Sequence, residues 1–358
     1  MKISIVTLNI TQSGGTEKAI KSFCDLLSEK YNIIIYSLSS SAHDRPFFDF
    51  LPNVNIKHLH LTTLPQPLCK KAKWFLKAFL SLQKQIKIDR PDRLMGYGHN
   101  LNFMLPYLRS GAMKVYGSEH IDINSIPGFS RKLMSVTYPR LDGLIVLSSV
   151  ARSKAHHLND QILIIPNCIE VNDQYNLSKR EKSIIMVGRV EKEKGFDRLL
   201  PIARFLSQNF PEWCINVYGD GPMVPDIERQ IDREGLNNVQ MHGRVRNIDQ
   251  KYKESSIFMM LSYSEAMPMV ILEAKANGLP VIAYQNEGAA CLIEDGVNGM
   301  LCTDEHEFLV KLADLIHDNY NVVEKIVKES KIQLKQYSGE KIKSKWIALL
   351  DAKTGKTK

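Results

Sequence analysis

The sequence lacks the features that would place the chain outside the ordinary globular proteins. Its 358 residues include only six cysteines, and none forms a C-x-x-C pair, which favours reduced thiols over disulfides or a structural zinc site. No apolar run reaches transmembrane length, and the apolar N-terminal segment has no signal-peptide cleavage pattern. We therefore expect a cytoplasmic protein that does not span a membrane.

Acidic residues are too few to balance the basic ones, and the formal net charge is +8. A basic chain permits phosphorylated substrates, an acidic membrane surface or nucleic acid as a partner. The sequence contains no zinc-finger spacing, RNA-binding aromatic signature or basic recognition helix. We therefore expect no nucleic-acid partner.

Strand-like and helix-like segments alternate along the whole chain, which predicts an α/β fold. A chain of this length with 44% hydrophobic residues can bury a large core and is expected to form two domains. Both halves are runs of strand-to-helix units, which predicts two doubly wound Rossmann-like domains with a cleft between them. We place the boundaries at 1–168, 169–336 and 337–358, the last being a helix with a frayed basic tail.

The segment from Ser264 to Tyr284 carries two glutamates among apolar residues. Glu265 lies in a loop after a predicted strand, and Glu273 lies in a helix that begins near Met269 and Val270. Carboxylates in apolar surroundings usually need a partner or a ligand. Strand ends in parallel sheets are where ligands bind, and helix amides favour phosphate, so this segment is the first candidate site.

Two other predicted strand ends in the second half carry residues suited to an anion. Arg189 and Lys194 follow one strand, and Gly219 and Asp220 follow another. Each group alone has an ordinary explanation as a surface ion pair or a cap. All of them would share one rim with Glu265, which favours a phosphate-binding site.

The first half offers candidate ligand contacts at strand ends. Gly14 and Gly15 open a helix and let backbone amides approach a ligand, although a tight turn without a ligand explains them as well. His99 and His120 follow two further strands. His120 has polar neighbours, including Ser118, Glu119 and Asp122, and is the preferred candidate, although a single histidine is more often structural.

A helix predicted over 68–88 separates an apolar stripe from a basic one. The apolar stripe contains Ala72, Phe75, Leu76, Phe79 and Ile86. The basic stripe contains Lys70, Lys73, Lys77, Lys84 and Lys87, with Trp74 beside it. Two interpretations remain open: a solvated lysine face, or contact of Lys70, Lys73, Trp74 and Lys77 with anionic lipid, the indole lying at headgroup level.

Short motifs occur along nearly the whole chain in the order of a known enzyme family. They are Gly14-Gly15-Thr16-Glu17, Ser118-Glu119-His120, Ile165-Pro166-Asn167, Val187-Gly188-Arg189 with Lys194-Gly195, Tyr218-Gly219-Asp220-Gly221-Pro222, Gly243-Arg244-Val245, the glutamate pair with seven residues between, Gly278-Leu279-Pro280-Val281-Ile282-Ala283, and Asp295-Gly296-Val297-Asn298-Gly299. In these motifs the chain resembles the retaining GT-B glycosyltransferases of family four, the group 1 glycosyltransferases.

The resemblance implies a GT-B fold whose last helix returns to the first domain. The second domain would hold a nucleotide-sugar, most often a UDP-sugar, and the first domain a saccharide acceptor. By resemblance Arg189 and Lys194 hold the diphosphate, Glu273 the ribose and Glu265 the transferred sugar, while His120 orients the acceptor. The remaining donor contacts would be Gly14, Gly15, Gly219, Asp220, Arg244, Met269 and Val270.

The resemblance also implies the reaction class. The expected enzyme is a retaining, metal-independent hexosyl- or N-acetylhexosaminyltransferase without a cofactor, and the sequence has no clear D-x-D motif. The expected setting is bacterial surface polysaccharide or lipopolysaccharide synthesis on the inner face of the cytoplasmic membrane, with a polyprenyl-diphosphate-linked acceptor permitted. The alternatives are a sugar-nucleotide epimerase of the same fold and a non-catalytic sugar-binding protein, which would lack the diphosphate cations.

Two departures from the family pattern leave the sugar open. Ala266 and Met267 replace the commoner Gly and Phe or Leu after the first glutamate, and Ala289-Ala290 stand where the family often has Gly-Pro. Both lie near the expected donor pocket.

Overall fold

The computed structural model describes residues 1–41, 43–65, 68–171, 180–317 and 321–352, with the backbone alone at 68–69. Two compact units divide the chain: unit 1 is Met1–Cys168 with Gly339–Lys358, and unit 2 is Ile169–Ser338. The sequence predicts an interdomain linker in the polar stretch 172–182, and most of this stretch lies outside the described residues.

In the described part of unit 1, seven strands form one parallel sheet. In chain order they are β1 Lys2–Thr7, β2 Asn32–Ser37, β3 Asn55–His58, β4 Arg93–Tyr97, β5 Lys114–Ser118, β6 Gly143–Val146 and β7 Ile162–Ile164. The order across the sheet is β3-β2-β1-β4-β5-β6-β7, with β1 and β4 in the middle. The order reverses at β1, which is the doubly wound arrangement.

Helices connect these strands. They are α1 Gly15–Leu27, α2 Leu68–Asp89, α3 His99–Asn102, α4 Gly128–Thr137 and α5 Ser149–Ala155, with short 3-10 turns at Ile123–Ser125 and Tyr138–Arg140. The α1 helix shows why the segments fold this way, since Ile20, Phe23 and Leu27 recur at helical spacing and are all buried.

Unit 2 has a second parallel sheet of six strands within its described residues. The strands are β8 Ser183–Val187, β9 Cys214–Tyr218, β10 Val239–Met241, β11 Ile257–Met260, β12 Val281–Tyr284 and β13 Met300–Cys302. Their order is β10-β9-β8-β11-β12-β13. The helices are α6 Leu199–Asn209, α7 Val224–Glu234, α8 Ile248–Glu254, α9 Met269–Ala276, α10 Glu287–Leu292, α11 Glu305–His317 and α12 Asn321–Leu334.

The C-terminal helix α13, Gly339–Leu350, belongs to unit 1. Its Trp346 meets Phe23 of α1 edge to face, with ring centroids 4.9 Å apart. Before it, the sequence predicts helical structure from Glu305 to Tyr337. The described residues form two helices and a 3-10 turn at Lys335–Tyr337, and 318–320 are not described.

The division of faces predicted for α2 is partly wrong: Ile86 is buried and Phe75 and Phe79 pack against the core, but Ala72 and Leu76 are exposed. The buried face is Trp74, Ala78, Leu82 and Ile86, which follow one another at four-residue spacing. Trp74 is only 4% exposed, and its indole N–H donates to the Thr62 carbonyl at 2.6 Å. Burying the largest apolar side chain with its single donor satisfied is the favoured arrangement. Leu76, assigned to the buried stripe, is instead 60% exposed.

Candidate active site

The centre of the candidate site in unit 2 is an ion pair between Lys194 and Glu265. The Lys194 ammonium lies 2.7 Å from Glu265 Oε1, and the Ser262 hydroxyl donates to the same oxygen at 2.9 Å. Glu265 follows β11, and Lys194 follows β8, its neighbour in the sheet. Neighbouring parallel strands end at the same edge, and for this reason residues 71 positions apart meet there.

Tight backbone packing fixes the two loops that carry this pair. Gly195, next to Lys194, has a φ of +71°, and a Cβ there would lie 2.0 Å from the Leu261 carbonyl oxygen. Only glycine allows that approach. The Tyr263 amide also donates to the Glu193 carbonyl at 3.0 Å. The cation and the carboxylate are therefore held in place by backbone contacts between their loops.

Glu273 lies deeper, on α9, and is 4% exposed. The hydroxyl of the fully buried Tyr252 on α8 donates to Glu273 Oε2 at 3.1 Å. Met269 and Val270 open α9 after Pro268, which provides no side-chain cap. Their amides belong to the first turn, where N–H groups have no acceptor within the helix, so they can serve an anion.

Arg189 does not join the Lys194–Glu265 pair. Its side chain is 65% exposed, and its Nε lies 3.2 Å from Glu191 Oε2. Asp220 and Arg244 form a second surface pair at 3.3 Å. Beside Asp220, Gly219 has a φ of +153°, and a Cβ there would lie 1.8 Å from the Gly188 carbonyl oxygen. The rim thus combines exposed cations with a tightly packed glycine loop.

Two residues that the sequence did not point to, Asn286 and Arg198, hold the backbone just before Glu265. Asn286 caps α10 through the Ala289 amide and also donates to the Ser262 carbonyl at 2.9 Å. Arg198 donates to the Leu261 carbonyl at 3.0 Å, and its guanidinium lies 3.8 Å from the centre of the Tyr263 ring. An Asn before a helix is a recognisable capping signal, whereas the Arg198 contact depends on tertiary structure alone.

His120 is the candidate residue of unit 1. Its Nε2 lies 2.9 Å from the Ser118 hydroxyl, and its ring stacks on Tyr97 with centroids 5.1 Å apart. Burial lowers the pKa of His120 to about 4, so the ring is neutral at pH 7. A neutral imidazole can both donate and accept a hydrogen bond with a sugar hydroxyl.

The polar neighbours of His120 differ from the expected ones. Glu119 points into the core, where its Oε1 accepts from Asn102 Nδ2 at 2.7 Å and from the Tyr138 hydroxyl. Burial raises the pKa of Glu119 to about 7. Asp122 instead pairs with Lys154 at 2.8 Å. Of the three predicted neighbours, Ser118 is therefore the one that the structure places against the imidazole.

Gly14 and Gly15 lie in unit 1 at the start of α1. The buried carboxylate of Glu17 accepts a backbone hydrogen bond from Gly14, and a Cβ at Gly14 would lie 2.5 Å from Glu17 Oε2. A side chain at position 14 would therefore have to displace the end of the Glu17 side chain. A Cβ at Gly15 would meet nothing within 4 Å. Their contact with a donor remains a prediction.

The match to a known protein family lies in unit 2. Residues 169–333 match the family model described as glycosyl transferases group 1. This match and the relatives below support a group 1 glycosyltransferase. The glycosyltransferase is 26% identical over 362 residues to an uncharacterized glycosyltransferase of Haemophilus influenzae, covering 98% of this chain and 99% of that protein.

A second relative has a more specific name. The glycosyltransferase is 25% identical over 362 residues to a protein of Campylobacter jejuni, with 98% of each chain covered. That protein is named GalNAc-alpha-(1->4)-GalNAc-alpha-(1->3)-diNAcBac-PP-undecaprenol alpha-1,4-N-acetyl-D-galactosaminyltransferase.

The fold comparison agrees with the predicted GT-B architecture. The glycosyltransferase superimposes on a mutant of S. aureus TarM, crystallised with fondaparinux, alpha-GlcNAc-glycerol and UDP, with a TM-score of 0.80. The two are 13% identical, and 98% of this chain and 100% of that chain are covered. The expected GT-B fold, with two doubly wound sheets, is confirmed.

The surface of α2 bears on the predicted membrane contact. The prediction that Trp74 takes part in that contact is wrong, because Trp74 is buried in unit 1. Lys70, Lys73 and Lys77 are exposed, as expected. No helix among the described residues has the length and apolarity needed to cross a membrane. The described residues also contain no group of three or more His, Cys, Asp or Glu side chains able to hold a metal ion.

Proposed function

We propose that this glycosyltransferase moves a sugar from a UDP-linked donor, held by unit 2, to a saccharide acceptor held by unit 1. The observation that carries the proposal is the Lys194–Glu265 pair at 2.7 Å, on the strand-end rim that also bears the exposed Arg189. Cations can bind a diphosphate, and a carboxylate can accept hydrogen bonds from the hydroxyl groups of a sugar. UDP in the TarM complex supports the choice of nucleotide.

The roles follow from the charge that the reaction creates. Breaking the bond between sugar and diphosphate places negative charge on the leaving phosphate and positive charge on the sugar ring. Lys194, Arg189 and the first amides of α9 would stabilise the phosphate without a metal. Glu265 would hold the sugar, and the buried Glu273, fixed by Tyr252, would accept hydrogen bonds from the ribose.

The stereochemistry and the acceptor belong to the same proposal. The acceptor hydroxyl would attack from the face that the diphosphate leaves, with retention of configuration, while the neutral His120 orients it. A hexose or an N-acetylhexosamine would be transferred to a growing bacterial surface polysaccharide. The Campylobacter jejuni relative is named for an undecaprenol-diphosphate substrate, which supports a lipid-linked acceptor here. The exposed lysines of α2, with Leu76 and Leu80 between them, would face the anionic inner leaflet.

The proposal can be tested with a panel of UDP-, GDP- and ADP-sugars in a thermal-shift assay, followed by transfer with the donor that binds. We expect a UDP-sugar to raise the melting temperature and the product to keep the donor's anomeric configuration by NMR. Glu273→Ala and Arg189→Ala should nearly abolish transfer while the protein stays folded. Normal transfer by either folded variant would reject the site.

A control reaction omits the acceptor. The proposed transferase leaves the sugar of the UDP-sugar unchanged except for slow hydrolysis. An epimerised UDP-sugar would instead identify a sugar-nucleotide epimerase and contradict the proposal.

A further inference from the structure

A pocket of about 230 Å³ opens in unit 1 between α4, α5 and the 3-10 turn Ile123–Ser125. The polar and basic residues that line it are Asn124, Arg131, Lys154 and His157, with Gly128 beside them. We call it the cationic pocket. The apolar trio Ile123, Met134 and Leu158 also lines it, and all three are buried.

The charge of the cationic pocket is positive. Arg131 and Lys154 carry fixed charges, His157 adds one when protonated, and none of the residues lining the pocket is acidic. The nearby carboxylate of Asp122, whose Oδ1 lies 2.8 Å from the Lys154 ammonium, offsets one of these charges. Arg131 is exposed on α4. A guanidinium offers a fork of N–H donors that matches phosphate oxygens better than an ammonium does.

The position of the pocket connects it to the acceptor residues of unit 1. The loop that carries His120 leaves β5 and continues through Asp122 into the turn that forms one wall. The other walls come from α4 and from α5, which follows β6. The Ile123–Ser125 turn, which lines the pocket, therefore belongs to a loop at the carboxyl edge of the sheet, where α/β folds bind ligands, while Lys154, His157 and Leu158 lie at and just beyond the last turn of α5. Phe129, next to Gly128, is 76% exposed and adds apolar surface beside the charge.

We propose that the cationic pocket binds the diphosphate group of a prenyl-diphosphate-linked acceptor. The inference rests on the proposed function, since it names the charged group of that acceptor. A diphosphate would bring negative charge to Arg131, with Lys154, already paired with Asp122, beside it, and a prenyl chain would bring apolar surface to Phe129. The pocket would hold the acceptor by its diphosphate end and leave its sugar free to reach His120.

Farnesyl diphosphate, titrated calorimetrically into the full-length protein, tests this assignment. Arg131→Ala should weaken binding about tenfold or more, which corresponds to about 1.4 kcal/mol. Lys132→Ala is the matched control, because Lys132 is the next residue of α4, is exposed and does not line the pocket. His157→Gln and His156→Gln form a second matched pair. The diphosphate-binding cations of unit 2 are the same in all four variants, so differences within a pair report the pocket alone.

Two outcomes would overturn the assignment. Farnesyl diphosphate could bind Arg131→Ala as tightly as Lys132→Ala, whether or not both variants bind it more weakly than the wild type. Alternatively, Arg131→Ala could lose binding to phosphatidylglycerol vesicles while keeping that to farnesyl diphosphate, which would identify a lipid-headgroup site. Failure of the proposed function has a different signature: no UDP-sugar raises the melting temperature of the wild type, while the Arg131 and Lys132 variants still differ toward farnesyl diphosphate.

Discussion

The two units treat ionisable side chains in opposite ways at the carboxyl edges of their sheets. In unit 2 the charges lie near the surface and are paired, as between Lys194 and Glu265 or between Asp220 and Arg244. In unit 1 the residues that follow β5 are withdrawn from water. Burial lowers the pKa of His120 to about 4 and raises that of Glu119 to about 7, so both side chains are driven toward their neutral forms.

This difference matches the charges of the two proposed substrates. A nucleotide-sugar brings a diphosphate, and cations held at a rim can bind it without first being desolvated. The acceptor brings an uncharged hydroxyl to the reacting centre, and a neutral imidazole can bind it without attracting the donor phosphate. The charge of the acceptor's diphosphate would then be held at the cationic pocket rather than beside His120.

The largest effect should come from removing the central cation of unit 2. Lys194→Ala should lower kcat/KM for the donor by about 10²–10³-fold, because it removes charge that stabilises the leaving phosphate. Initial rates at several donor concentrations, with urea unfolding to confirm the fold, provide the measurement. Lys192→Ala is the matched control, since Lys192 belongs to the same 3-10 turn and is exposed. Equal losses in the two variants would mean that Lys194 has no special role.

Much of unit 2 could be predicted because its signals are local. Pro268 and Gly278 mark the two ends of α9, and the apolar run Ile257–Leu261 marks the strand before it. Parallel strands then bring Glu265 and Lys194 to one edge. The sequence could not show that Tyr252 holds Glu273, because that contact joins two helices through a buried hydroxyl.

Unit 1 was less predictable, and α2 shows why. Its lysines and apolar residues are mixed around the helix, so the stripe alone did not reveal which face is buried. Burial of Trp74 depends on the Thr62 carbonyl in the preceding segment, which accepts the indole N–H. Likewise, nothing local to Ser118-Glu119-His120 distinguishes the side chain that meets a ligand from the one that enters the core. Those choices are made by tertiary packing.

The second prediction concerns the neutral state of Glu119. An unfolded glutamate titrates near pH 4.5 and this one near 7, so the folded state keeps a proton that the unfolded state loses between those values. Stability therefore falls as pH rises through this window. Glu119→Gln imitates the protonated acid. Its unfolding free energy relative to that of the wild type should therefore be higher at pH 8 than at pH 5, by about 1.4 kcal/mol for each unit of pKa difference.

Urea unfolding at pH 5 and pH 8 measures the effect of Glu119→Gln. Glu29→Gln, at an 82% exposed side chain, should leave the pH dependence unchanged. If the stability difference between Glu119→Gln and the wild type is the same at both pH values, then Glu119 is ionised in the folded state. The contrast between the charged rim of unit 2 and the neutral edge of unit 1 would then fail.

The smallest effect concerns Lys275, which breaks the pattern within unit 2 itself. This fully buried lysine donates to the Leu292 carbonyl at 2.6 Å, to Gln333 Oε1 at 2.8 Å and to Asn298 Oδ1 at 2.9 Å, all of them uncharged oxygens. Burial lowers its pKa to about 7. The unfolded chain keeps this proton up to pH 10.5, so the stability of the wild type should rise with pH above 7.

Lys275→Met should remove that rise, which is at most about 1.4 kcal/mol per pH unit. It also removes one donor from each of the three oxygens, although Asn298 Oδ1 keeps the Glu294 amide at 2.9 Å. Unfolding free energies at pH 7 and pH 8 give the slope, and Lys328→Met, at an exposed position of α12, should keep the wild-type value. An unchanged slope in Lys275→Met would mean that Lys275 stays charged when buried. The three uncharged oxygens would then stabilise the buried ammonium as well as a carboxylate partner would. Pairing with an acid would no longer distinguish the charged rim of unit 2 from its interior.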